Sequence, residues 1–523
     1  MESKVTNLKK TGQKTQVMLF VFLASLYMLM AAGYPATSMG VTAALTAKSF
    51  VEEGNLSLEK ATLETGIGKD GKYYTYEGLA FILAVTIFAA ISKLLGMSPN
   101  GVLFTNQILT ALACLILFYV SREFKYSKKV SLVLSLIYGI GTMALVHSRY
   151  LMPEPLTTLV YLTAFLFLLK YKNKNKVTWL FLCGCFTGLS IIVRPDAPLF
   201  ILGMIVGVVV VFYTQYRDGR KKLDAIVREG VLFLTPLVFF FGVYAYYNHA
   251  RFGNIFESGY STKGRQELDS KGYESPFRVR SMTDTLLGFA GMWIIPCRSM
   301  FFINPVLIFI FFALTDFWKK YRYELLIIGI IFIPHVIVYS NRGPSSFPGG
   351  GSWGIRYMVP MTSFMVIIMG IFVERIMKHR NRIFKIFVAV FVLSAFFQFI
   401  GASRSYQDTQ HYLEKNYNTP EDDGIARRMM NVFPKWNLIT QNINLLRSGN
   451  TDFMYHGYLT ESKLTYFKLQ WGSEAPSWVS MSFYILILSL SISGYMLVKF
   501  FLAATVEPEK KKMSDRKGRK HRK

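Results

Sequence analysis

The sequence predicts an all-α polytopic membrane protein with about twelve transmembrane helices. Three observations predict it. Long apolar runs recur from residue 16 to residue 503, many of them near the roughly 20 residues that cross a bilayer core. The composition is 52% hydrophobic and 15% aromatic over 523 residues, with a mean hydropathy of +0.31. Basic clusters punctuate the runs at intervals. In lipid each run must be helical, because its backbone N–H and C=O groups find partners only within their own segment.

The chain divides along these lines into a basic N-terminus (1–15), a transmembrane module with extracytoplasmic loops (16–400), an extracytoplasmic loop or small cap (401–477), a last span (478–503) and a basic tail (504–523). The first apolar run, Gln16 to Tyr34, reads as a signal anchor. Cys114, Cys183, Cys185 and Cys297 make no disulfide framework and read as packing residues. The formal net charge of +27 would suggest nucleic acid in a soluble domain. Here it sits in short loops and the two tails, where it is a topology signal and an attraction to anionic lipid.

Lys4, Lys9, Lys10 and Lys14 put the N-terminus in the cytoplasm, and the tail from Glu509 to Lys523 is basic enough to join it. Five further basic loops belong on the same side. They are Arg122 to Lys129, Lys170 to Lys176, Arg217 to Arg228, Lys319 to Arg322, and Arg375 to Lys385. All five fit only if one apolar run does not cross. Gly78 to Gly96 is that run, and the expectation is a re-entrant or surface helix on the outer side.

The outer face then carries Pro35 to about residue 100, a short loop from His147 to Glu154, the segment Asn248 to Arg298, the glycine-rich Asn341 to Arg356, and Arg404 to Ser477. Charges at membrane depth are costly and mark sites or gates. On this face Glu154 precedes Pro155, Arg149 follows His147 and Ser148, Arg194 and Asp196 flank Pro195, Arg298 follows Cys297, and Arg356 follows the Gly349 to Gly354 stretch. Arginine forks bind phosphate oxygens in a bidentate way. A carboxylate can take a proton from a hydroxyl or hold a metal. Carboxylates and arginines at helix ends on one face suit a lipid-linked sugar phosphate, with the polyprenyl chain in an apolar groove. Each residue also has a plainer use: Glu154 suits a helix N-terminus, Arg194 and Arg356 suit interface anchors, and the glycines suit a turn.

Ordered motifs carry a resemblance. Asp70-Gly71-Lys72-Tyr73-Tyr74-Thr75-Tyr76-Glu77-Gly78-Leu79 follows a long first loop that holds Leu45 to Leu58. Glu154-Pro155-Leu156 precedes a span. Gly188-Leu189 leads to Arg194-Pro195, and Tyr246-Tyr247-Asn248 to Arg251-Phe252-Gly253 and Gly259-Tyr260. Pro296-Cys297-Arg298-Ser299 leads to Asn304-Pro305-Val306, and a glycine-rich stretch runs from Gly349 to Pro360. In this order they resemble the GT-C glycosyltransferases, multi-spanning enzymes that use polyprenyl-phosphate sugars, including the protein O-mannosyltransferases and lipid A aminoarabinose transferases. The match runs over most of residues 16–375.

The resemblance implies transfer of a hexose or pentose from a polyprenyl-phosphate carrier to a hydroxyl of a lipid, glycan or protein on the extracytoplasmic face, in a cell-envelope membrane such as the plasma membrane. It implies carboxylates of catalysis, with Glu154, Glu77, Asp70 and Glu52 as candidates. Arg149, Arg194, Arg356, Arg298 and Lys263 are the candidates for the donor phosphate. A divalent metal ion is an open possibility. Family members usually carry an acid early in the first outer loop, whereas Pro35 to Gly40 holds none and Glu52 and Glu53 come first. The rival readings are a non-catalytic relative that binds lipid-linked sugar and a transporter or flippase of it. Asymmetric outer loops speak against the paired halves of a transporter, and no Walker motif is present for an ATP-driven pump.

Overall fold

The protein is described here from a computed structural model, which describes residues 2–503 apart from 33–34, 36, 63, 96–103, 260–280, 295–298, 342–351, 380, 404–442 and 444–476. The expected cap therefore falls outside the described residues. So do Lys263, Arg298 and Cys297.

The chain opens with α1 (Glu2–Leu29) and α2 (Ser38–Glu53), followed by three short strands, β1 (Ser57–Leu58), β2 (Thr65–Ile67) and β3 (Tyr73–Thr75). They form one antiparallel sheet in the order β1-β3-β2, with Thr65 opposite Thr75 and Ser57 opposite Tyr74. Then come α3 (Leu79–Leu94), α4 (Thr105–Glu123), α5 (Lys128–Gly141), the single turn α6 (Ala144–His147), α7 (Glu154–Lys174), α8 (Val177–Leu189), α9 (Ala197–Arg217) and α10 (Leu223–Phe252). The remaining helices are α11 (Met282–Trp293), α12 (Met300–Ile303), α13 (Leu314–Ser340), α14 (Val359–His379), α15 (Arg382–Ala402) and α16 (Ser477–Ala503).

Local signals fix several boundaries. Thr37 caps α2, its hydroxyl accepting from the Gly40 N–H, and Gly54 ends that helix in the left-handed region. Ser127 caps α5 and Asn381 caps α15 in the same way. Pro155 and Pro198 sit in the first turns of α7 and α9, where a missing N–H costs nothing.

Seven helices among the described residues are long and apolar enough to cross a membrane, and three shorter apolar helices accompany them, the 16-residue α3 included. The chain is an integral membrane protein. The expected count of about twelve goes beyond what length and apolarity alone support. The helix α5 has 14 residues, and α7 carries Glu154, Lys170, Lys172 and Lys174 within its span.

Burial sorts centre from rim. In the apolar stretch that includes α14, 83% of residues are buried, against 22% in α10 and 11% in α16. The centre is α4, α7 and α14, with α8 and α9 packed on α7, α13 packed on α9 and α14, and α10 and α16 outside. The Phe165 and Phe364 rings meet edge to face where α7 crosses α14. Rim helices present apolar side chains outward, as lipid requires. The helix α8 reaches α10 through Gly184 and Gly188, where a Cβ would lie 2.4 Å from the Phe233 carbonyl and 2.8 Å from the Pro236 carbonyl. Small residues one turn apart let the two backbones touch.

Chain direction separates the two ends of this bundle. Tyr339 at the end of α13 meets Asp196 at the start of α9, and Arg194 meets Glu154 at the start of α7. Asn106 at the start of α4 donates to the Met152 carbonyl at 2.8 Å. The basic clusters lie at the opposite end: Lys172 pairs with Glu324, and Lys221 with Glu229.

Candidate active site

The helix α7, which packs against α4 and α8, begins at Glu154, and that residue is fully buried. A carboxylate in a first helical turn is favoured by the backbone dipole. That alone does not offset complete burial, and buried charge requires a partner. Arg194 supplies one, its Nη1 donating to Glu154 Oε1 at 2.8 Å. The Nε of Arg194 donates to Asp196 Oδ1 at 3.0 Å, and its Nη2 lies 3.5 Å from the Tyr339 hydroxyl. Tyr339 in turn donates to Asp196 Oδ2. Burial pushes the Asp196 carboxyl up, but the Arg194 charge beside it holds it below the usual carboxylate range.

A second guanidinium comes from the other side. Arg356 Nε lies 3.9 Å from the same Glu154 oxygen, and its side chain is only 14% exposed. Its Nη2 donates to the Tyr357 hydroxyl at 2.9 Å and its Nη1 approaches Met39 Sδ at 3.2 Å. The Tyr357 ring lies against both guanidiniums, 5.2 Å from that of Arg194 and 4.8 Å from that of Arg356. It also stacks on Tyr339, with centroids 4.6 Å apart. Two arginines thus converge on one buried carboxylate, with two tyrosines set against their guanidiniums, and the second oxygen of that carboxylate has no hydrogen-bond partner among the described residues.

Glu77 enters from the sheet. Its N–H donates to Thr75 Oγ1 at 3.1 Å, and α3 begins two residues later. Gly78 makes the approach possible: a Cβ there would lie 2.2 Å from the Val193 carbonyl and 2.5 Å from that of Ile192. Arg251, at the end of α10, clamps the strand by donating through Nη1 to the Thr75 carbonyl at 2.6 Å. Its own carbonyl accepts from the Lys69 N–H at 2.8 Å. Glu77 is buried and its Oε1 has no partner among the described residues. Its pKa is pushed up to about 8, first by burial and then by the charges of Glu64 and Glu154, against the opposing pull of Arg194 and Arg356.

Of the residues singled out by sequence, Glu154, Glu77, Arg194 and Arg356 come together. Glu52 does not. It is exposed at the far end of α2, paired with Lys48 at 3.9 Å. Asp70 is exposed in the β2–β3 turn, where it accepts from the Tyr74 hydroxyl at 2.8 Å and from the Lys72 N–H at 3.1 Å. Arg149 is buried and its Nε donates to the Met30 carbonyl at 2.7 Å, closing the end of α1. Tyr339, Tyr357 and Glu64 join the site from outside the residues marked by sequence, and Arg251 comes from the Arg251-Phe252-Gly253 motif without having been a site candidate. Tyr339 gives a faint signal, being a polar-tipped ring at the end of an apolar helix.

His147 fixes the loop that delivers Arg356. Burial pushes its imidazole down to about 4, so it is neutral at pH 7. Its Nε2 then donates to the Trp353 carbonyl at 3.1 Å, since a carbonyl only accepts. Trp353 is itself buried against Gly401, where a Cβ would lie 2.3 Å from its ring. Among the described residues no group of three His, Cys, Asp or Glu side chains is arranged to hold a metal ion. Two guanidiniums already occupy the charge of Glu154, so these residues do not fit a metal centre.

The family described as dolichyl-phosphate-mannose-protein mannosyltransferase matches residues 82–240 of the chain. That stretch holds Glu154, Arg194 and Asp196. The chain is similar to the GT-C glycosyltransferases. Among solved structures, ArnT from Cupriavidus metallidurans in the apo state is 14% identical, with a TM-score of 0.47 over 88% of this chain and 81% of that one. ArnT bound to undecaprenyl phosphate is 15% identical, with a TM-score of 0.46 over 84% and 78%. The Archaeoglobus fulgidus oligosaccharyltransferase in its apo form is 11% identical, with a TM-score of 0.45 over 81% of this chain. The chain spans 60% of that oligosaccharyltransferase's length. No curated protein sequence matches the chain.

Proposed function

We propose that this GT-C-like chain transfers a sugar from a polyprenyl-phosphate carrier to a hydroxyl of a lipid, glycan or protein, on the extracytoplasmic face of the plasma membrane. One observation carries the reading. Arg194 and Arg356 converge on a single buried carboxylate at the loop end of a membrane helix bundle. Planar forks at this depth suit a bidentate phosphate. Glu154 holds the forks apart and in place, and Tyr339 and Tyr357 brace them. Asp196 fixes the opposite edge of Arg194.

In the transfer the acceptor oxygen bonds to the anomeric carbon and the carbon–phosphate-oxygen bond breaks. The electron pair leaves on the lipid phosphate, where charge builds. Arg194 and Arg356 are placed to stabilise that charge, which is worth most in a site shielded from water. Glu77 is mostly protonated at neutral pH, so it donates a hydrogen bond rather than repelling the phosphate. The proposal routes no step through a metal.

The topology supports the face. The basic clusters lie at the end opposite Glu154, and basic loops stay in the cytoplasm. The end of α1, at Met30, and the start of α4, at Asn106, both meet the α6–α7 segment. The chain between them therefore begins and finishes at the site end, which supports a re-entrant or surface placement for α3. Its outward Ile87, Ile91 and Leu94 suit contact with lipid.

The experiment is transfer from a panel of radiolabelled polyprenyl-phosphate sugars by purified protein in lipid, with Glu77→Gln and Glu154→Gln alongside. Turnover by the wild type that collapses in Glu154→Gln, and largely persists in Glu77→Gln, whose amide is also a neutral donor, supports the reading. Donor binding without turnover overturns it in favour of a non-catalytic relative, and donor movement across the bilayer in favour of a flippase.

A further inference from the structure

We infer that Glu64 is the general base of the proposed transfer, taking the proton of the acceptor hydroxyl at the mouth of the Glu77–Glu154–Arg356 cluster. The inference rests on the reading above and deepens it.

Four carboxylates of the described residues lie around this cluster, and their surroundings give them different capacities; Asp196 is held on both oxygens, by Arg194 and by the Tyr339 hydroxyl. Glu154 is fully buried and bound to two guanidiniums. A proton accepted there would break the ion pairs that hold both phosphate-binding forks. Glu77 is buried too, and at neutral pH it already carries its proton, which leaves it no lone pair with the strength of a carboxylate. Glu64 differs from both. Its side chain is half-buried, so an acceptor arriving from the loop side can reach it.

Its position is set from several directions. The Glu64 carbonyl accepts from the Tyr76 N–H at 3.1 Å, one residue before Glu77. This contact extends the β2–β3 ladder by one step beyond the Thr65–Thr75 pair. The Ser38 hydroxyl donates to Glu64 Oε1 at 3.0 Å. The neighbouring Met39 reaches Arg356 Nη1 at 3.2 Å, and Arg356 leads to Glu154. A short path thus joins Glu64 to the phosphate forks through the first turn of α2. The loop is pinned by Thr42 and Thr62, whose hydroxyls lie 2.6 Å apart. A catalytic group held this way keeps its geometry without help from substrate.

Independent observations point to a ligand between these groups. Glu77 Oε1 and Glu154 Oε2 are buried without partners among the described residues. Buried polar atoms are rarely left so, and a bound sugar phosphate offers hydroxyl donors to each. The single Ser38 bond leaves the other Glu64 oxygen available for the incoming hydroxyl.

The step balances simply. The acceptor O–H proton moves to Glu64 as the acceptor oxygen bonds to the anomeric carbon. The sugar–phosphate bond breaks and its electron pair stays on the lipid phosphate, between Arg194 and Arg356. Glu64 then releases the proton to water.

The test compares wild type, Glu64→Gln, Glu64→Asp and Ser38→Ala in lipid, measuring turnover against pH and the binding of undecaprenyl phosphate. General-base contributions run to about 10²–10⁴-fold. Glu64→Gln is expected to lose turnover on that scale with lipid-phosphate binding within about twofold of wild type and without the acidic limb of the pH profile. Glu64→Asp should keep that limb at reduced rate, and Ser38→Ala should lower turnover by loosening the carboxylate. An active wild type beside an equally active Glu64→Gln overturns this inference and leaves the transferase reading standing. Loss of lipid-phosphate binding in both Glu64 variants assigns the residue a structural role and also overturns it. A wild type inactive with every donor overturns the reading and the inference together.

Discussion

Arg194 bridges Glu154 and Asp196 with two different edges of one guanidinium, at 2.8 and 3.0 Å. It therefore joins the start of α7 to the start of α9, and Tyr339 ties both to the end of α13. Removing the arginine leaves a buried carboxylate with, among the described residues, only the more distant Arg356. Stranding one partner of a buried pair costs about 3–5 kcal/mol. Arg194→Gln is expected to lower stability on that scale. Glu154→Gln should cost less, because Asp196 still engages Arg194. The double variant should be less destabilised than the sum of the singles by about 1–3 kcal/mol. Denaturation of the detergent-solubilised protein measures all three, and strict additivity would show that the contact carries no coupling.

Glu77 predicts a pH dependence whose sign is fixed. Its folded pKa, about 8, lies above the ordinary carboxyl value of 4.5. The folded state therefore holds a proton that the unfolded state has released, and stability falls as pH rises from about 4.5 towards 8. The full effect is on the order of a few kcal/mol. The wild-type melting temperature should decline across this interval more steeply than that of Glu77→Gln, which keeps the neutral form at every pH. Parallel pH profiles for the two proteins would mean that Glu77 ionises normally.

Much of this cluster was legible in the sequence, for a physical reason. Charged residues at the ends of apolar runs must be paired or functional, and that rule picks out Glu154, Arg194 and Arg356 directly. It also picks out Arg149, which the fold spends on the Met30 carbonyl. The rule says nothing about which loop ends meet. Glu77 and Asp70 lie in one motif, yet only Glu77 turns inward, because Gly78 lets the backbone press against Val193. Glu52 points the other way on a helix whose buried face is Met39, Thr42, Ala43 and Thr46. Glu64 had no apolar run beside it and no motif around it. Its place follows from a two-strand pairing that spacing alone does not fix.

Arg356 separates charge from shape. Its guanidinium contacts Glu154, Tyr357 and Met39 at once, which an ammonium at the end of a flexible stem cannot reproduce. Arg356→Lys keeps the charge and loses the fork. Affinity for undecaprenyl phosphate should fall about tenfold, a cost of about 1.4 kcal/mol, with a smaller change in melting temperature than for Arg194→Gln. Equilibrium binding to nanodiscs carrying the lipid reads this out. Unchanged affinity would place the phosphate elsewhere.

Gly78 and Gly71 offer a matched pair in the same loop. A Cβ at Gly78 would sit 2.2 Å from the Val193 carbonyl, closer than any side chain tolerates, and nothing flexible is there to yield. Alanine at this position must push the start of α3 away from the α8–α9 junction and carry Glu77 with it. Overpacking of this kind costs about 1–3 kcal/mol, and a catalytic group displaced by 1 Å can cost about 10²-fold in rate. Gly71 has open space around it but a φ of +78°, so alanine there incurs only backbone strain, about 1–2 kcal/mol. Gly78→Ala should therefore lose transfer activity beyond what its stability loss explains. Gly71→Ala should lose comparable stability and keep its rate. Equal rates in the two variants, at a temperature where both are folded, would remove Glu77 from the reacting centre.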